Sequence, residues 1–262
     1  KVFEYLSLVI GENYVCVTTN VFQPSGALAG AMILRISLDD LNNNAPAKFS
    51  YFYEPEKYTF TPATGDGENT KLYWGTHINN DKMKIYEWSE TESSDNVKSK
   101  VISIPAWAPI SKGDAKCGMR TGIFEDRPVN WCGRIDSKIR GGWMTNDMIG
   151  FLWTADSSSK TDPSEKIKYF TWPYVNSATF DVSSGIENAT YLGRPYIWSP
   201  DYPWLYAAAS ANKEGKIGLV AFYGNGIDVP PSLAFGSGMH ALARERRVRC
   251  RNGSPRATLR SD

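Results

Sequence analysis

The sequence predicts an all-β protein, and three observations carry that prediction. Aromatic residues make up 13% of the chain, with nine Trp, 14 Tyr and 11 Phe, and aromatic side chains favour strands. Short runs rich in β-branched and aromatic residues recur between clusters of Gly, Asn, Asp and Pro, whereas no helical pattern persists over ten positions before residue 238. We therefore expect a β-propeller of about five four-stranded blades, with a β-sandwich as the alternative.

Strand-like runs follow one another in two groups. The first group starts with two runs separated by a turn at Gly11, and it continues beyond a loop that contains Pro24 and Gly26. A segment rich in Pro, Gly and charged residues at 105–134 separates this group from the second. The predicted strands are 3–10, 14–19, 31–36, 49–53, 72–76, 83–88, 101–104, 148–154, 166–172, 178–182, 205–209, 217–223 and 232–235.

A weak repeat supports the radial arrangement. A polar turn followed by an apolar strand that ends near an aromatic residue begins at residues 11, 68, 146 and 212. Sheets arranged around an axis bury both faces against their neighbours and leave only short edges. We expect residues 1–237 to form a single propeller domain, and five small blades would use the whole chain. The ring would lack a segment if the residues after 237 were foreign.

Charge divides the chain into two unequal parts. Residues 238–262 contain seven Arg, no Lys and two acids, a net charge of +5. Because the whole chain carries +1, the first 237 residues carry −4. Phosphate binding is one interpretation of the basic end, but such terminal runs are usually solvated. Because the composition changes abruptly at this point, we treat residues 238–262 as an Arg-rich tail of doubtful origin and base no function on it.

Several function classes are not expected from this composition. The mildly acidic body offers no broad basic surface for nucleic acid. No apolar run approaches the roughly 18 residues that suggest a membrane span, and no leader-like segment is visible near Lys1. A phosphate-binding Gly loop and a dinucleotide fingerprint are both missing, so we expect no cofactor. The oligomeric state stays open.

The four cysteines favour an oxidising compartment, so we expect a secreted or periplasmic protein. Cys117 and Cys132 are fifteen residues apart in a Gly-rich stretch, where a local disulfide would stabilise the fold by about 3 kcal/mol. Cys16 and Cys250 would then link the two ends of the chain. Sequence alone does not select among the three pairings. Neither pair has the spacing of a metal site, and we predict none.

Several blocks of this sequence resemble those of secreted bacterial β-propellers loosely related to sialidases. They are YVCVTTNVF at 14–22, YWGTH at 73–77, WCGRIDS at 131–137, IGFLW at 149–153 and PYIWS at 195–199. The segment 210–223 is similar to the degenerate Asp-box hairpins of that family, which are structural turns. The resemblance implies a propeller over roughly residues 3–236. Sialidases use three Arg, a Tyr–Glu nucleophile pair and an Asp acid, and that full set does not align here.

The densest group of polar and aromatic residues lies between residues 125 and 143. Asp126 and Asp136 are the candidate acid and base or nucleophile of a glycosidase-like site. Arg134 and Arg140 are candidate orienting cations, and Trp131 is a candidate wall. The segment is loop-rich, and loops on a rigid β scaffold commonly carry sites. The structural alternative is that these charges form ion pairs and caps.

Other candidates lie outside this segment. His77 is the sole histidine of the first 237 residues and is a candidate catalytic base, although a lone His is more often a hydrogen-bonding residue at a strand end. Trp74, Tyr196, Arg194 and Asp201 are candidate substrate-binding residues, because aromatic rings stack on pyranose faces and polar groups bind hydroxyls. The aromatic residues near loops are Trp172, Tyr174, Tyr196, Trp198, Tyr202, Trp204, Tyr206 and Tyr223. Two or three of them are expected to face a ligand.

Three functional hypotheses remain at the level of sequence. The first is a secreted propeller that binds a carbohydrate and, in its stronger form, hydrolyses it as a glycoside hydrolase. The second is a non-catalytic propeller scaffold for a protein or polymer partner, and the third is an esterase-type hydrolase that uses His77. Propellers host both enzymes and binding proteins, so the fold does not decide. Two carboxyl groups about 5 to 9.5 Å apart in one pocket would favour hydrolysis.

Overall fold

The computed structural model describes residues 2–55, 57, 59–65, 70–110, 117, 119–121, 128–145, 147–157, 170–225, 229–239, 246–248 and 257–260. Over these residues the chain is all-β, and four antiparallel sheets are arranged as a β-propeller. The predicted fold class is confirmed, and the β-sandwich alternative is not adopted. The described part contains four blades rather than about five.

Blade 1 is a four-stranded sheet in sequence order. Its elements are β1 (Val2–Ile10), β2 (Tyr14–Phe22), β3 (Leu28–Ser37), the one-turn helix α1 (Leu38–Asn42) and β4 (Phe49–Pro55). Ser37 caps α1, because its side chain accepts a hydrogen bond from the Asp40 N–H. Exposed and partly buried residues alternate along β4, so one face of the sheet is open to solvent.

Blade 2 repeats the four-stranded pattern. Its elements are β5 (Thr61–Pro62), β6 (Lys71–His77), β7 (Lys82–Ser89), a 3-10 turn (Ser94–Asn96) and β8 (Lys98–Ser103). Residues on both faces of β6 and β7 are buried. A strand buried on both faces requires a covering layer on each side, and blades 1 and 3 are those layers.

Blades 3 and 4 complete the described sheets. Blade 3 contains β11 (Ile139–Met144), β12 (Met148–Ala155), β13 (Tyr174–Asp181), a 3-10 turn (Ile186–Asn188), β14 (Thr190–Gly193) and β15 (Tyr196–Trp198), and β19 (Arg246–Val248) and β20 (Ala257–Arg260) extend it beyond β15. Blade 4 contains β16 (Trp204–Ala211), β17 (Lys216–Tyr223) and β18 (Ser232–Met239). Two segments of the Arg-rich stretch are thus paired strands.

A short ribbon and a disulfide precede blade 3. The ribbon pairs β9 (Met119–Thr121) with β10 (Pro128–Asn130). Cys117 and Cys132 form the local disulfide that their spacing predicted. Cys16 is a free, buried thiol, so it does not form the second predicted bridge, to Cys250, which lies outside the described residues. Burial is the main cause that raises the pKa of the Cys16 thiol to about 12, and it stays protonated.

Three apolar clusters hold the blades together, each between consecutive sheets. Ile33 and Trp74 belong to the cluster between blades 1 and 2. Ile85 and Phe151 belong to the cluster between blades 2 and 3, and Trp204 packs between blades 3 and 4. Because each cluster joins residues distant in sequence, the blades stabilise one another rather than folding as separate units.

The first strands of blades 2, 3 and 4 meet at Thr64. Thr64 forms a parallel bridge with Trp143 of blade 3, and its hydroxyl shares its one proton between the carbonyls of Gly142 at 2.9 Å and Ala209 at 3.0 Å. Thr64 therefore joins three blades at their inner edges. This arrangement brings the beginnings of β5, β11 and β16 to one end of the molecule.

Candidate functional site

The candidate site lies where the inner strands begin. The Thr61 hydroxyl at the start of β5 donates to the carbonyl of Ile139, the first residue of β11, at 2.9 Å. The guanidinium carbon of Arg140 lies 5.9 Å from the ring centre of Tyr206 near the start of β16. We call the group Asp136, Lys138, Arg140, Tyr206 and Trp131 the mouth.

A row of alternating charged residues leads into β11. In an extended chain, residues two apart point to the same side, and this places Asp136, Lys138 and Arg140 together. Arg140 donates to Asp136 Oδ1 at 2.8 Å, and Lys138 Nζ lies 3.2 Å from Asp136 Oδ2. The three side chains are 13% to 26% exposed. Each charge is thus partly desolvated, held by a partner and still reachable from solvent.

Tyr206 occupies an irregular position in β16. The pairing of β16 with β17 shifts register between Leu205 and Ala208, and Tyr206 has a φ of +50°. Its N–H donates to the Thr154 hydroxyl at 3.2 Å, outside the ordinary ladder. Bulges often redirect a side chain beside a site, and a non-glycine residue at positive φ costs about 1–3 kcal/mol. The fold holds Tyr206 in this strained conformation beside Arg140.

Trp131 is held by the disulfide segment. It is partly buried and packs, together with Tyr206, against a small apolar cluster that includes Ile110, Cys132 and Leu205. The Ile110 N–H donates to the Ser137 hydroxyl at 2.7 Å, which ties the preceding loop to the charged row. The Cys117–Cys132 bridge therefore anchors the segment that carries both Trp131 and Asp136.

The mouth combines fixed hydrogen-bonding groups with flat rings. Arg140 and Lys138 supply donors, Asp136 supplies acceptor lone pairs, and the two aromatic rings supply apolar surface. Asp126, the second predicted carboxylate, lies outside the described residues. Arg134 is described and exposed in the turn after Trp131. Of the predicted set, Asp136 and Arg140 are in contact, and Trp131 packs against the same apolar cluster as Tyr206.

His77 lies at the end of β6 and packs against two indole rings that also contact each other. The ring centres of Trp107 and Trp153 are 4.8 Å and 4.7 Å from that of the imidazole. Burial lowers the pKa of His77 from 6.5 to about 3, and its Nε2 is enclosed without a hydrogen-bond partner. A general base works best with a pKa near the operating pH, so this ring is poorly suited to base catalysis at neutral pH.

Two of the predicted substrate-binding residues lie inside the protein. Trp74 has no exposed surface and stacks on Tyr86 with ring centres 5.0 Å apart. Tyr196 is 1% exposed and packs edge-on against Tyr174 at 5.7 Å. The structure gives both rings a packing role between sheets, and the mouth does not include them.

Arg194 and Asp201 also lie apart from the residues of the mouth. Arg194 is buried, with its guanidinium 5.2 Å from the Tyr196 ring centre, and it donates to the Ala106 carbonyl at 3.3 Å. Asp201 is exposed in the turn before β16, and its N–H donates to the Ser199 hydroxyl at 3.1 Å. The Arg194 side chain therefore has a packing and hydrogen-bonding role, whereas the hydrogen bond at Asp201 involves its backbone.

Sequence reasoning missed Lys138 and did not single out Tyr206. The alternation Asp136-x-Lys138-x-Arg140 in a strand-like stretch could have identified the lysine, because period-two spacing puts all three charges on one side. Tyr206 appeared among the eight aromatic residues near loops. No signal in its neighbours distinguishes it from the packed rings, since its position depends on a bulge.

In the described part of the chain, tyrosine–glutamate hydrogen bonds are formed by Tyr86 and Tyr73, and both pairs lie in the sheets and not in the mouth. Tyr86 donates to Glu54 Oε2 at 2.7 Å, and Tyr73 donates to Glu87 Oε2 at 3.0 Å. Burial, the largest cause, raises the pKa of both phenols well above the ordinary value of 10. Both tyrosines therefore stay protonated at neutral pH, so neither is an activated nucleophile.

Within the described ranges, no group of three or more His, Cys, Asp or Glu side chains is arranged to hold a metal ion. No helix found in these ranges has both the length and the apolar character needed to cross a membrane. No model of a known protein family matches the chain, and no curated protein is significantly similar to it.

Proposed function

We propose that this chain is a secreted, sialidase-like β-propeller that binds a carbohydrate at the mouth. One observation carries the proposal: the partly exposed Asp136–Arg140–Lys138 cluster lies beside the Tyr206 ring at the end of the molecule where the inner strands of three blades begin. Ligand sites commonly combine aromatic surface with a few fixed polar groups. The mouth offers both within one small group of side chains.

The chemistry of the mouth suits a sugar ring. The hydroxyls of a pyranose need both donors and acceptors, and its axial C–H groups form an apolar face that packs on aromatic rings. Arg140 and Lys138 donate, Asp136 accepts, and Tyr206 supplies the flat surface. Because Asp136 already holds both cations, their donors are oriented before a ligand arrives, which lowers the entropy cost of binding.

The proposal is binding without hydrolysis. Most glycosidases use two carboxyl groups that flank the scissile bond, and Asp136 is the one carboxylate among the five residues of the mouth. Both of its oxygens face cations, at 2.8 Å and 3.2 Å. A carboxylate held in this way is better suited to positioning donors than to attacking a sugar carbon or transferring a proton.

Export is part of the same proposal. The Cys117–Cys132 disulfide fits an oxidising compartment such as the periplasm or the extracellular space. It braces the segment that carries Trp131 and Asp136, so an oxidising environment would also favour an ordered mouth.

A glycan array tests the proposal, run alongside a panel of chromogenic glycosides and esters. We expect the wild type to be retained by at least one glycan class, and Asp136→Ala to bind at least tenfold more weakly, a change of about 1.4 kcal/mol. Glu187→Ala is the matched control, because Glu187 also pairs with a lysine, Lys98, but at an exposed site on blade 3. Its binding should equal that of the wild type.

Three results would contradict this assignment. The first is a wild type that no glycan retains, which would favour a scaffold for another kind of partner. The second is equal binding by Asp136→Ala and the wild type when both show the same circular dichroism spectrum. The third is turnover of a glycoside or ester, which would make the chain a hydrolase.

A further inference from the structure

Blade 1 has one apolar face that none of the other described blades covers. We call it the blade 1 face. Its most exposed side chains lie on the two edge strands, β1 and β4, where every second residue is apolar and points outward. They are Leu6 at 68%, Leu8 at 56%, Ile10 at 54%, Phe49 at 66%, Tyr51 at 53% and Tyr53 at 38% exposure.

The register shows that the two edges belong to one continuous surface. Leu8 pairs with Val17, Val17 with Leu34, and Leu34 with Tyr51. A parallel row runs from Ile10 through Val15 and Ile36 to Phe49. Directly opposite residues of antiparallel strands project to the same side, so these rows cross all four strands without a break.

The opposite face of the same sheet shows what such a surface normally does. Val9, Cys16 and Ile33 point the other way and pack against Trp74 and Tyr86 of blade 2. The buried Arg35 and the partly buried Glu54 also belong to that covered face. The blade 1 face, by contrast, carries no charged side chain at its described positions in β1 to β4. The more apolar side of the sheet is therefore the exposed one.

The size of the face matches what a dimer needs. The largest apolar patch of a typical monomer is about 300–600 Å². Covering the six most exposed side chains would remove roughly 600–800 Å² from water, given that a fully enclosed aromatic side chain buries about 150–250 Å². A standard interface buries about 800 Å² on each partner, and the partly buried residues between the edges add to this area.

We infer that the blade 1 face packs against the same face of a second copy of this chain. Two-fold dimers are the commonest oligomers, and they pair one patch with itself. A face without charge has no like-charge repulsion to overcome in such a pairing. Apolar sheets pack face to face about 10 Å apart, the same type of contact that joins the blades within the chain.

The uncovered face of blade 4 is the smaller alternative. Its exposed large side chains are Phe222 at 43%, Leu233 at 56% and Phe235 at 63%. The rest of that surface includes Ser210, Gly218 and the charged Lys216, which follow from the register of β16 with β17. It offers about half the exposed apolar surface of the blade 1 face, so we assign the dimer contact to blade 1.

Sedimentation velocity of the full chain between about 1 and 100 μM tests the inference. We expect a dimer mass for the wild type, and a monomer mass for the double variant Leu8→Lys, Tyr51→Glu. Both residues are more than half exposed, so the variant should fold, and near-UV circular dichroism will verify this. Phe235→Glu on blade 4 is the matched control and should stay dimeric.

Several outcomes would overturn the inference. One is a wild type that is monomeric throughout the concentration range. If the blade 1 face of that monomer also binds an apolar dye, the face is suited to a different partner, such as a further β-sheet. Another is a dimer that survives Leu8→Lys, Tyr51→Glu. A third is a dimer that Phe235→Glu dissociates, which would move the contact to blade 4.

Discussion

His77 shows how its surroundings determine what an imidazole can do. The ring packs against Trp107 and Trp153 with its Nε2 enclosed, and burial lowers its pKa to about 3. The neutral ring is an aromatic packing element at the boundary of blades 2 and 3. The low pKa of His77 therefore affects how the stability of the protein depends on pH.

Acidification should destabilise the protein through His77. Between pH 6.5 and about 3 the unfolded chain binds a proton at this residue and the folded chain does not. The free energy of unfolding should therefore fall by about 1.4 kcal/mol for each pH unit in this window from His77 alone. Above pH 6.5 the imidazole is neutral in both the folded and the unfolded chain, so His77 no longer lowers the free energy of unfolding. Urea unfolding at pH 7, 5.5 and 4 measures it.

The comparison for this prediction is His77→Phe, which keeps a ring in the cage and removes the titrating group. Carboxylates contribute to both proteins equally, so the difference between the two slopes isolates His77. Identical slopes for the wild type and His77→Phe would show that the folded imidazole takes up its proton as readily as the unfolded one.

Strand β11 illustrates how an element is adapted to the centre of the molecule. A Cβ atom added at Gly142 would lie 2.4 Å from the Pro62 carbonyl oxygen of β5, and one at Gly141 would lie 2.8 Å from the Ala207 carbonyl oxygen of β16. Both neighbours are backbone atoms that cannot rotate away. Only glycine allows the inner strands to approach this closely.

Gly142→Ala should therefore destabilise the fold by about 3 kcal/mol, the upper end of ordinary overpacking. Gly193→Ala is the control, because Gly193 lies in β14 of the same blade and an added Cβ there meets nothing within 4 Å. It should change the free energy of unfolding by less than about 0.5 kcal/mol. Denaturant titration of both variants measures these changes. Equal free energies of unfolding for Gly142→Ala and Gly193→Ala would contradict the close approach of β11 to β5.

The same strands explain where sequence prediction of the elements failed. The runs at 14–19, 72–76 and 148–154 became β2, β6 and β12 with one to three residues added at their ends, because β-branched and aromatic residues fit buried strands. Strands β5 and β11 were missed. Pro62 in β5 and Gly141-Gly142 in β11 are residue types typical of turns. In this fold they lie in strands and allow the backbones of neighbouring blades to approach closely.

At the scale of the whole molecule, the number of blades depends on long connections. The first strands of blades 2, 3 and 4 begin at Thr61, Ile139 and Trp204, a spacing wider than five equal blades in a chain of 262 residues would allow. The segment between β8 and β11 accounts for much of this difference. It carries the disulfide and the charged row, so residues that lengthen the blade spacing also build the mouth.

The mouth itself could be predicted only in part. Trp131, Asp136 and Arg140 were identified because they are close in sequence and chemically distinctive. Tyr206 joins them only after blade 4 packs on blade 3 and β16 forms its bulge. Trp74 and Tyr196 were selected by residue type, but sequence does not distinguish a ring packed between sheets from one that faces a ligand.

Calorimetric titration with a glycan retained on the array, comparing wild type with Tyr206→Ala, tests the central claim most directly. We predict a Kd at least tenfold weaker for Tyr206→Ala, equivalent to about 1.4 kcal/mol. The substitution removes the face of the ring but still leaves a Cβ atom at the bulged position. Phe222→Ala, a 43% exposed aromatic residue of the same blade, should bind like the wild type. An unchanged Kd for Tyr206→Ala would contradict carbohydrate binding at the mouth.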